Sequence, residues 1–202
     1  MSNVNIKVKG IVGLGGYATS GKDLMCRLIR ERGGKVKRFA LADKLKETLD
    51  PFVKEQYGTS LFNCSREEKE LLRPLMVAYS KLHRHRTGGA YFFNKIADEI
   101  IDYSKEGLAI ITDLRYAEYE GTDEAWRVKE VGGSIVCLNK YKIESHRKVF
   151  VKPPNQEEAE NGPKIQEMAD YNIEWPHSNN GLGYLDRYVD NLIIYLNEAL
   201  KE

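Results

Sequence analysis

The stretch that decides the fold is Gly10-Ile-Val-Gly-Leu-Gly-Gly-Tyr-Ala-Thr-Ser-Gly-Lys-Asp23, near the start of a chain of 202 residues. Its first half is apolar and ends in glycines, which predicts a buried strand that enters a tight loop. Apolar side chains then follow at helical spacing between Leu24 and Ile29, and Gly33-Gly34 ends the predicted helix. A strand, a glycine-rich loop and a helix in this order are typical of the repeating unit of a parallel α/β fold.

The loop at residues 16–23 fits the pattern G-x-x-x-x-G-K, with Asp23 in the place where Ser or Thr is usual. The backbone N–H groups of such a loop curl around phosphate oxygens, and the helix that follows adds a favourable dipole. Lys22 supplies a positive charge beside the β- and γ-phosphates, and Asp23 offers an oxygen ligand to Mg²⁺. We therefore predict that the loop binds the triphosphate of ATP with Mg²⁺. The predicted phosphate-binding residues are Gly16, Tyr17, Ala18, Thr19, Ser20, Gly21, Lys22, Asp23 and Leu24.

Two other interpretations of this stretch stay open. A glycine-rich turn between a strand and a helix can exist without any ligand. The segment Gly13-Leu-Gly-Gly-Tyr-Ala18, with Asp43 downstream, also fits loosely the dinucleotide-binding pattern G-x-G-x-x-[GA]. That pattern leaves Gly21 and Lys22 without a role, so the phosphate-loop interpretation is the stronger one.

The rest of the chain alternates between strand and helix patterns. The further predicted strands lie at residues 36–41, 107–113, 134–138 and 171–175. The further predicted helices lie at residues 43–53 with Asp43 as N-cap, 65–104 with a break at Thr87-Gly88-Gly89, 122–131 and 184–200. This order predicts a three-layer α/β fold, in which a parallel five-stranded sheet has helices on both faces. The polar stretch at 140–167, which contains Pro153-Pro154 and Gly162-Pro163, is predicted to be a flexible surface segment.

The composition is that of an ordinary globular enzyme, with 42% hydrophobic residues, 30% charged residues and a formal net charge of +1. This charge gives no strong basic field, so we do not expect nucleic acid as a ligand. No apolar run approaches the roughly 18 residues of a membrane span and no signal-peptide pattern is present. Three scattered cysteines predict reduced thiols. We therefore expect a soluble cytoplasmic protein with no membrane contact.

Charged residues elsewhere can complete a phosphoryl-transfer site. Asp113 ends an apolar strand, where an acid can bind Mg²⁺ through water, and Arg115 can reach phosphate oxygens. The simpler alternative is a helix or turn cap beside a surface arginine. In the helical region we select Arg73 and Arg84, because a transferred phosphoryl group spreads its charge over oxygens that need several cationic donors.

Three further groups of side chains have two interpretations each. Tyr91-Phe92-Phe93 can stack on a nucleotide base, but core packing is the stronger interpretation. His83 and His85 have no Cys or carboxylate partner nearby in sequence, so they form a poor metal site. The basic residues between Lys140 and Lys152 form either a solvated loop or a lid that closes over bound phosphates.

Together these residues resemble the deoxynucleoside monophosphate kinase family of bacteriophages, within the P-loop kinases. The loop ends in Ser-Gly-Lys-Asp, the form found in that family, and Phe39–Lys46 is similar to its F-A-D-P-L-K segment. Residues Arg73–Arg84, followed by Tyr91-Phe92, resemble R-x-L-L-Q-x-x-G-x-x-x-R followed by an aromatic residue. Asp113-Leu-Arg115 matches the family's D-x-R, and Asp170–Trp175 resembles its last strand, D-x-x-I-x-N. These segments occur in the family's order over most of the chain.

The resemblance implies that the γ-phosphate of ATP is transferred, with Mg²⁺, to a nucleoside 5′-monophosphate. It implies a single P-loop kinase domain over residues 1–202, with a helical acceptor-binding insert at about 42–105 and a lid at about 140–167. A homodimer, and the cytoplasm of a phage-infected bacterium as its location, are compatible with it. The implied site residues are Lys22, Asp113 and Arg115 for catalysis, Asp23 and Asp113 for the metal, Asp43, Lys46, Arg73, Arg84, Tyr91 and Phe92 for the acceptor, and Arg147 in the lid.

The chain departs from the family's pattern at five positions. They are Leu24 in place of a hydroxyl residue, Val77 in place of glutamine, Ser80 in place of glycine, Tyr119 in place of an acid, and Trp175 in place of an asparagine near the expected adenine. Because of these departures, the base of the acceptor stays open.

Two alternative functions stay open as well. One is a kinase of another acceptor, such as dephospho-coenzyme A or a hydroxymethylated pyrimidine within DNA. The other is a nucleotide-dependent switch or a non-catalytic nucleotide-binding protein. A GTPase should carry N-K-x-D for guanine, whereas Asn139-Lys-Tyr-Lys142 has a lysine in the place of the acid.

Overall fold

The structure is a computed structural model that describes residues 5–177 and 182–200. Its strands are β1 (Gly10–Gly15), β2 (Val36–Phe39), β3 (Leu108–Ile111), β4 (Ser134–Glu144), β5 (Arg147–Phe150) and β6 (Tyr171–Pro176). Its helices are α1 (Lys22–Glu31), α2 (Leu41–Tyr57), α3 (Arg66–Thr87), α4 (Tyr91–Asn94), α5 (Ala97–Ser104), α6 (Glu124–Glu130), α7 (Gln156–Met168) and α8 (Asp186–Ala199), with a 3₁₀ turn at Leu182–Leu185.

Within the described residues the strands form one six-stranded sheet, which confirms the predicted α/β fold class. Strands β2, β3, β1, β4 and β6 are parallel neighbours in that order. The predicted number of five strands was wrong by one, because β5 pairs antiparallel with the outer part of β4, from Tyr141 to Glu144. The five parallel strands are the expected ones, and β5 is an addition to them.

The first half of the predicted flexible segment is a β-hairpin formed by β4 and β5. Its two turn residues, Ser145 and His146, have positive φ angles of 47° and 63°. Hairpin turns of this kind favour asparagine or glycine, so the usual turn signal is missing here. Most side chains from Lys142 to Phe150 are exposed, which explains why the stretch is polar although it is regular in structure. The prediction of a flexible loop was therefore wrong for these residues.

The second half of that segment is helix α7. The helix begins at Asn155, whose side-chain oxygen accepts a hydrogen bond from the backbone N–H of Glu158 at 2.8 Å. Gly162-Pro163 lies inside α7 and does not end it. The prediction of a loop was wrong here, because proline removes only one helical hydrogen bond and packing holds the rest of the helix together.

In the chain, helices α2 to α5 lie between β2 and β3. A capping box at Ser65 and Glu68 begins α3, since each side chain accepts a hydrogen bond from the other residue's backbone N–H. The predicted break is confirmed, because α3 ends at Thr87 and Gly88 has a φ of 58°. Asp43 was predicted as an N-cap, but it lies in the first turn of α2, whose N-cap is Ala40.

Apolar side chains cover both faces of the sheet. Leu14 packs in a cluster with α1 and α8, including Met25 and Leu192. Ile11 belongs to the opposite cluster, which includes Val128 of α6. Because both faces are filled, polar side chains gather at the C-terminal ends of the strands, where ligands bind in sheets of this kind. No helix in the described part of the chain is both long and apolar enough to cross a bilayer.

Candidate active site

The loop of residues 16–21, between β1 and α1, forms a backbone cradle. Gly16 and Gly21 have φ angles of 118° and 96°, which side chains rarely adopt. A Cβ atom at Gly16 would also collide with the carbonyl oxygen of Leu138. Helix α1 then begins at Lys22 without a side-chain cap. The N–H groups of its first turn have no intrahelical partner and can bind an anion.

A buried tryptophan holds the loop from the core side. The indole Nε1 of Trp175 donates a hydrogen bond to the carbonyl oxygen of Ser20 at 2.8 Å. Its ring occupies the place that a Cβ atom at Gly21 would need. Trp175 was expected near an adenine, but its ring is completely buried against the loop. This residue therefore fixes the loop's conformation.

Lys22 is buried inside the cradle that it follows. Its Nζ donates hydrogen bonds to the carbonyl oxygens of Gly16 at 2.5 Å and Tyr17 at 2.9 Å. Burial lowers the pKa of Lys22 to about 8, and the positive charge of Arg115 acts in the same direction. Carboxylates at Glu158 and elsewhere oppose this effect without cancelling it. Lys22 is thus a buried cation with a second cation, Arg115, close to it.

A carboxylate from α7 is bound at this loop. The Oε2 atom of Glu158 accepts a hydrogen bond from the backbone N–H of Ala18 at 2.7 Å. Its Oε1 atom lies 3.2 Å from Nη1 of Arg115. Glu158 is 8% exposed, whereas the side chain of Arg115 is 44% exposed. The loop backbone and Arg115 together therefore hold an anionic group of the protein itself.

Asp113 follows β3 and caps the start of α2. Its two carboxylate oxygens accept hydrogen bonds from the backbone N–H groups of Leu41 at 2.9 Å and Ala42 at 2.7 Å. Burial raises the pKa of Asp113, although these hydrogen bonds act against the rise. The capping role was the alternative interpretation of the sequence. It leaves each oxygen a second lone pair, through which a water could reach a metal ion.

Arg38 joins two of the predicted site residues, Asp23 and Asp43. Its Nε is 2.8 Å from Oδ1 of Asp23, and its Nη1 is 2.9 Å from Oδ2 of Asp43. Lys46 Nζ donates to the other oxygen of Asp43 at 3.1 Å. Burial acts to raise the pKa of Asp43, but the hydrogen bonds from Arg38 and Lys46 outweigh it and lower that pKa. The start of α1 and the start of α2 are therefore connected by charge pairs.

The two predicted metal residues fit Mg²⁺ only in combination with phosphate and water. Within residues 5–177 and 182–200, no group of three or more His, Cys, Asp or Glu side chains could hold a metal ion. Mg²⁺ usually takes one or two carboxylates together with substrate phosphates and waters. The side chain of Asp23 is 72% exposed, which leaves space for a hydrated ion beside it, and Asp113 could take part through water.

Arg84 lies in a buried ion cluster away from the loop. Its guanidinium binds both carboxylate oxygens of Asp123, each at 3.0 Å, and stacks 3.4 Å above the ring of Tyr116. Glu118 and Glu124 lie 3.2 and 3.6 Å from it. Burial raises the pKa of Glu124 to about 8, although the charge of Arg84 opposes this rise. The donors of Arg84 are therefore used within the protein.

The other predicted arginines lie on the surface. Arg73 forms an ion pair with Glu70 on the exposed side of α3, at 2.8 Å. Arg147 is exposed on β5, where its backbone lies opposite Glu144 in the hairpin. Among the described residues, neither arginine has a hydrogen bond or an ion pair with the loop.

The predicted aromatic residues divide into core and surface roles. Phe92 is 4% exposed and packs in the core, as the stronger interpretation of the sequence had it. Tyr91 is half-buried and stacks on His83, with ring centroids 4.0 Å apart. Its ring face is thus covered by a neighbouring side chain.

Two cavities flank α7. One, of about 310 Å³, lies between α3, the loop after β3, and α7. Among the residues that line it are Lys81, Arg84, Tyr116, Glu118, Tyr119 and Glu157. The other, of about 260 Å³, lies beside the phosphate loop between β4, β5 and α7. Among the residues that line it are Tyr17, Ser20, Leu138, Lys140, Phe150 and Gln166.

Sequence reasoning missed Glu158 and the supporting role of Trp175. For Glu158 the available signal was Asn155 three residues earlier, which begins a helix and places the acid in its first turn. For Trp175 the signal was its place at the end of an apolar strand, where burial is the ordinary outcome. Neither pattern shows that these residues lie beside the loop, since both contacts join segments more than 130 residues apart in the chain.

Comparisons with known proteins give fold-level similarities at low sequence identity. No protein-family model matches the chain, and no curated protein sequence matches it. Dephospho-CoA kinase from Campylobacter jejuni aligns over 92% of this chain and 96% of its own, with 16% identity and a TM-score of 0.48. TT1252 from Thermus thermophilus aligns over 94% and 99%, with 14% identity and a TM-score of 0.46. Shikimate kinase from Aquifex aeolicus aligns over 93% and 98%, with 16% identity and a TM-score of 0.40.

Proposed function

We propose that this protein transfers the γ-phosphate of ATP, in the presence of Mg²⁺, to a nucleoside 5′-monophosphate. An oxygen of the acceptor phosphate attacks the γ-phosphorus, and the bond to the bridging oxygen of ADP breaks. Such a reaction needs no covalent enzyme intermediate, because catalysis consists of positioning and charge stabilisation.

The observation that carries this proposal is the anion-binding geometry of the loop. The backbone N–H of Ala18 and the guanidinium of Arg115 already hold a carboxylate, and Lys22 lies buried beside them. The uncapped start of α1 adds further N–H donors. A phosphate group offers more charge and more acceptor oxygens than a carboxylate, so we expect it to bind this site more strongly.

The position of the larger cavity supports an acceptor beside the donor phosphates. Arg115 and Glu158 meet at the loop, while their chain neighbours Tyr116 and Glu157 line the cavity of about 310 Å³. A mononucleotide in this cavity would direct its phosphate toward Arg115. A volume of about 300 Å³ is at the lower end of small-molecule sites, which suits one base and one sugar.

In this proposal each charged group has one task. Lys22 and Arg115 would stabilise the charge on the transferred group, as would Mg²⁺ held by Asp23 and, through water, by Asp113. Bound Mg²⁺ would neutralise the negative charge of the phosphates. Arg84 would shape the cavity wall through its pair with Asp123, and Lys46 would hold Asp43 in place.

A coupled ADP-release assay over all ribo- and deoxyribonucleoside monophosphates tests the proposal. We expect Mg²⁺-dependent turnover with one or a few of them. Dephospho-coenzyme A and hydroxymethylated DNA belong in the same panel, because turnover with either, and not with mononucleotides, would replace the acceptor class. ATP binding without turnover on any acceptor would favour a non-catalytic nucleotide-binding protein.

A further inference from the structure

Glu158 takes the position at the loop that a phosphate group would need. A phosphate-binding loop presents backbone N–H groups and nearby cations to an anion. Here the anion is a carboxylate, whose two oxygens are divided between Ala18 N–H and Arg115, at 2.7 and 3.2 Å. Since Glu158 is buried, water does not compete for these contacts. The same donors cannot serve Glu158 and a triphosphate together.

We propose that α7 closes the phosphate loop through Glu158, and that a nucleotide binds only when Glu158 withdraws. This inference rests on the proposed function and adds a regulation of the same site. The contact lowers the apparent affinity for nucleotide, because the binding-competent fraction of the protein is reduced.

The construction of α7 allows one half of the helix to move while the other stays in place. The C-terminal half is held by Ile165, which is 2% exposed and packs in the core cluster against β1. The N-terminal half is held by polar contacts, among them the ion pair of Glu157 with Lys81 at 2.5 Å. This ion pair is partly exposed, so it can be exchanged for contacts with water or ligand at small net cost.

Gly162-Pro163 separates these two halves. Proline has no N–H, so the helical hydrogen bond from residue 163 to the carbonyl oxygen of Ala159 is missing. Glycine adds the largest backbone freedom at the residue before it. The junction therefore lies between Glu158, which blocks the loop, and Ile165, which anchors the helix.

Asn161 forms a hydrogen bond that would be lost if the first half of α7 moved away. Its Oδ1 accepts a hydrogen bond from the backbone N–H of Ala117 at 3.0 Å, in the loop that also carries Arg115. Withdrawal of α7 would break this bond and free Arg115 at the same time. Nucleotide binding is thereby coupled to the loop after β3, which we assign to catalysis.

The test compares the wild-type protein with Glu158→Gln and with the control Glu167→Gln. Glutamine keeps an oxygen that can accept from Ala18 N–H but removes the negative charge. Glu167 is an exposed acid on the same helix, so its substitution matches the change in charge. Titration calorimetry would measure the dissociation constants of ATP and of inorganic triphosphate. Hydrogen exchange would follow the amides of residues 156–161 with and without ATP.

We expect Glu158→Gln to bind both ligands at least tenfold more tightly than the wild type, and Glu167→Gln to match the wild type. We also expect ATP to accelerate exchange at residues 156–161 in the wild type while it slows exchange at residues 16–23. Equal or weaker binding by Glu158→Gln would overturn the inference, as would unchanged or slower exchange in α7, and in both cases the proposed function would still stand. If neither ATP nor inorganic triphosphate bound to the wild type or to either variant, the proposed function would be overturned together with the inference.

Discussion

Two buried cations of this protein have opposite surroundings. Arg84 faces three carboxylates, those of Asp123, Glu124 and Glu118, all within 3.6 Å. At the loop, Lys22 donates to backbone carbonyls, and the carboxylate of Glu158 pairs with Arg115. Carboxylates take up the donors of Arg84, whereas the first N–H groups of α1, beside Lys22, have neither an intrahelical partner nor a side-chain cap.

Under the proposed function, this difference separates a structural cluster from the ligand site. Where carboxylates take up all the donors of a cation, as around Arg84, none of those donors is left for the phosphate of a ligand. Where the N–H groups at the start of a helix have no cap, an external anion can accept from them. The carboxylates around Arg84 lie in residues 118–124, and the carboxylate at the loop, Glu158, lies on α7. A pair between an arginine and a buried carboxylate occurs in both places, so such a pair does not by itself identify a ligand site.

The largest effect that tests this comparison is expected from Arg84→Ala. The substitution leaves the carboxylate of Asp123 buried without its cation, and loss of one partner of a buried pair costs about 3–5 kcal/mol. Denaturant titration would measure the loss of unfolding free energy. Arg86→Ala, an exposed arginine in the same turn, is the control and should stay within about 0.5 kcal/mol of the wild type. A loss below 1 kcal/mol for Arg84→Ala would show that the cluster is not structural.

The next effect is expected from Lys22→Ala. Removal of a preorganised cation from a phosphoryl-transfer site lowers turnover by about 10²–10³-fold. The fold should persist, because the hydrogen bonds lost with Lys22 are to carbonyls at the edge of the loop. The control is Lys35→Ala, which removes an exposed lysine at the opposite end of the sheet. Full phosphotransfer by a folded Lys22→Ala variant would falsify the assignment.

Arg115→Ala should have a smaller effect, on kcat rather than on KM. Arg115 is partly exposed, so its guanidinium can move toward the negative charge that develops on the transferred phosphoryl group. We therefore expect it to stabilise mainly the transition state. We expect kcat to fall by about 10–100-fold while KM changes little. Steady-state kinetics, with the exposed Arg27→Ala as a control, would measure both constants. A raised KM with unchanged kcat would make Arg115 a binding residue instead.

The sequence predicted the loop well because its geometry depends on local chemistry. Gly16 and Gly21 are needed for their backbone angles, and the capping box at Ser65 depends on residues three apart. The roles of Glu158 and Arg84 depend instead on contacts between distant segments, since Asp123 lies 39 residues from Arg84. A single sequence shows the type of such a side chain but not its partner, so a buried structural arginine looks the same as one that binds a ligand.

The smallest effect concerns the pH dependence of ATP binding. Burial beside Arg115 lowers the pKa of Lys22 to about 8, so in the free protein Lys22 loses its proton as the pH rises through that value. Bound phosphates favour the charged form and raise this pKa again, so above pH 8 binding must take up a proton. We expect the dissociation constant to be nearly constant from pH 7 to pH 8 and to rise up to about tenfold between pH 8 and pH 9.

Phosphate groups, with a second pKa of about 6, stay deprotonated over that range and do not contribute. Calorimetric titration in buffers with different ionisation enthalpies would detect the proton uptake directly. Lys22→Arg keeps its charge throughout and should lose the dependence. A wild-type affinity that stays flat to pH 9 would mean that Lys22 is not the cation that contacts the phosphates, and Arg115 and the backbone N–H groups would then be their donors.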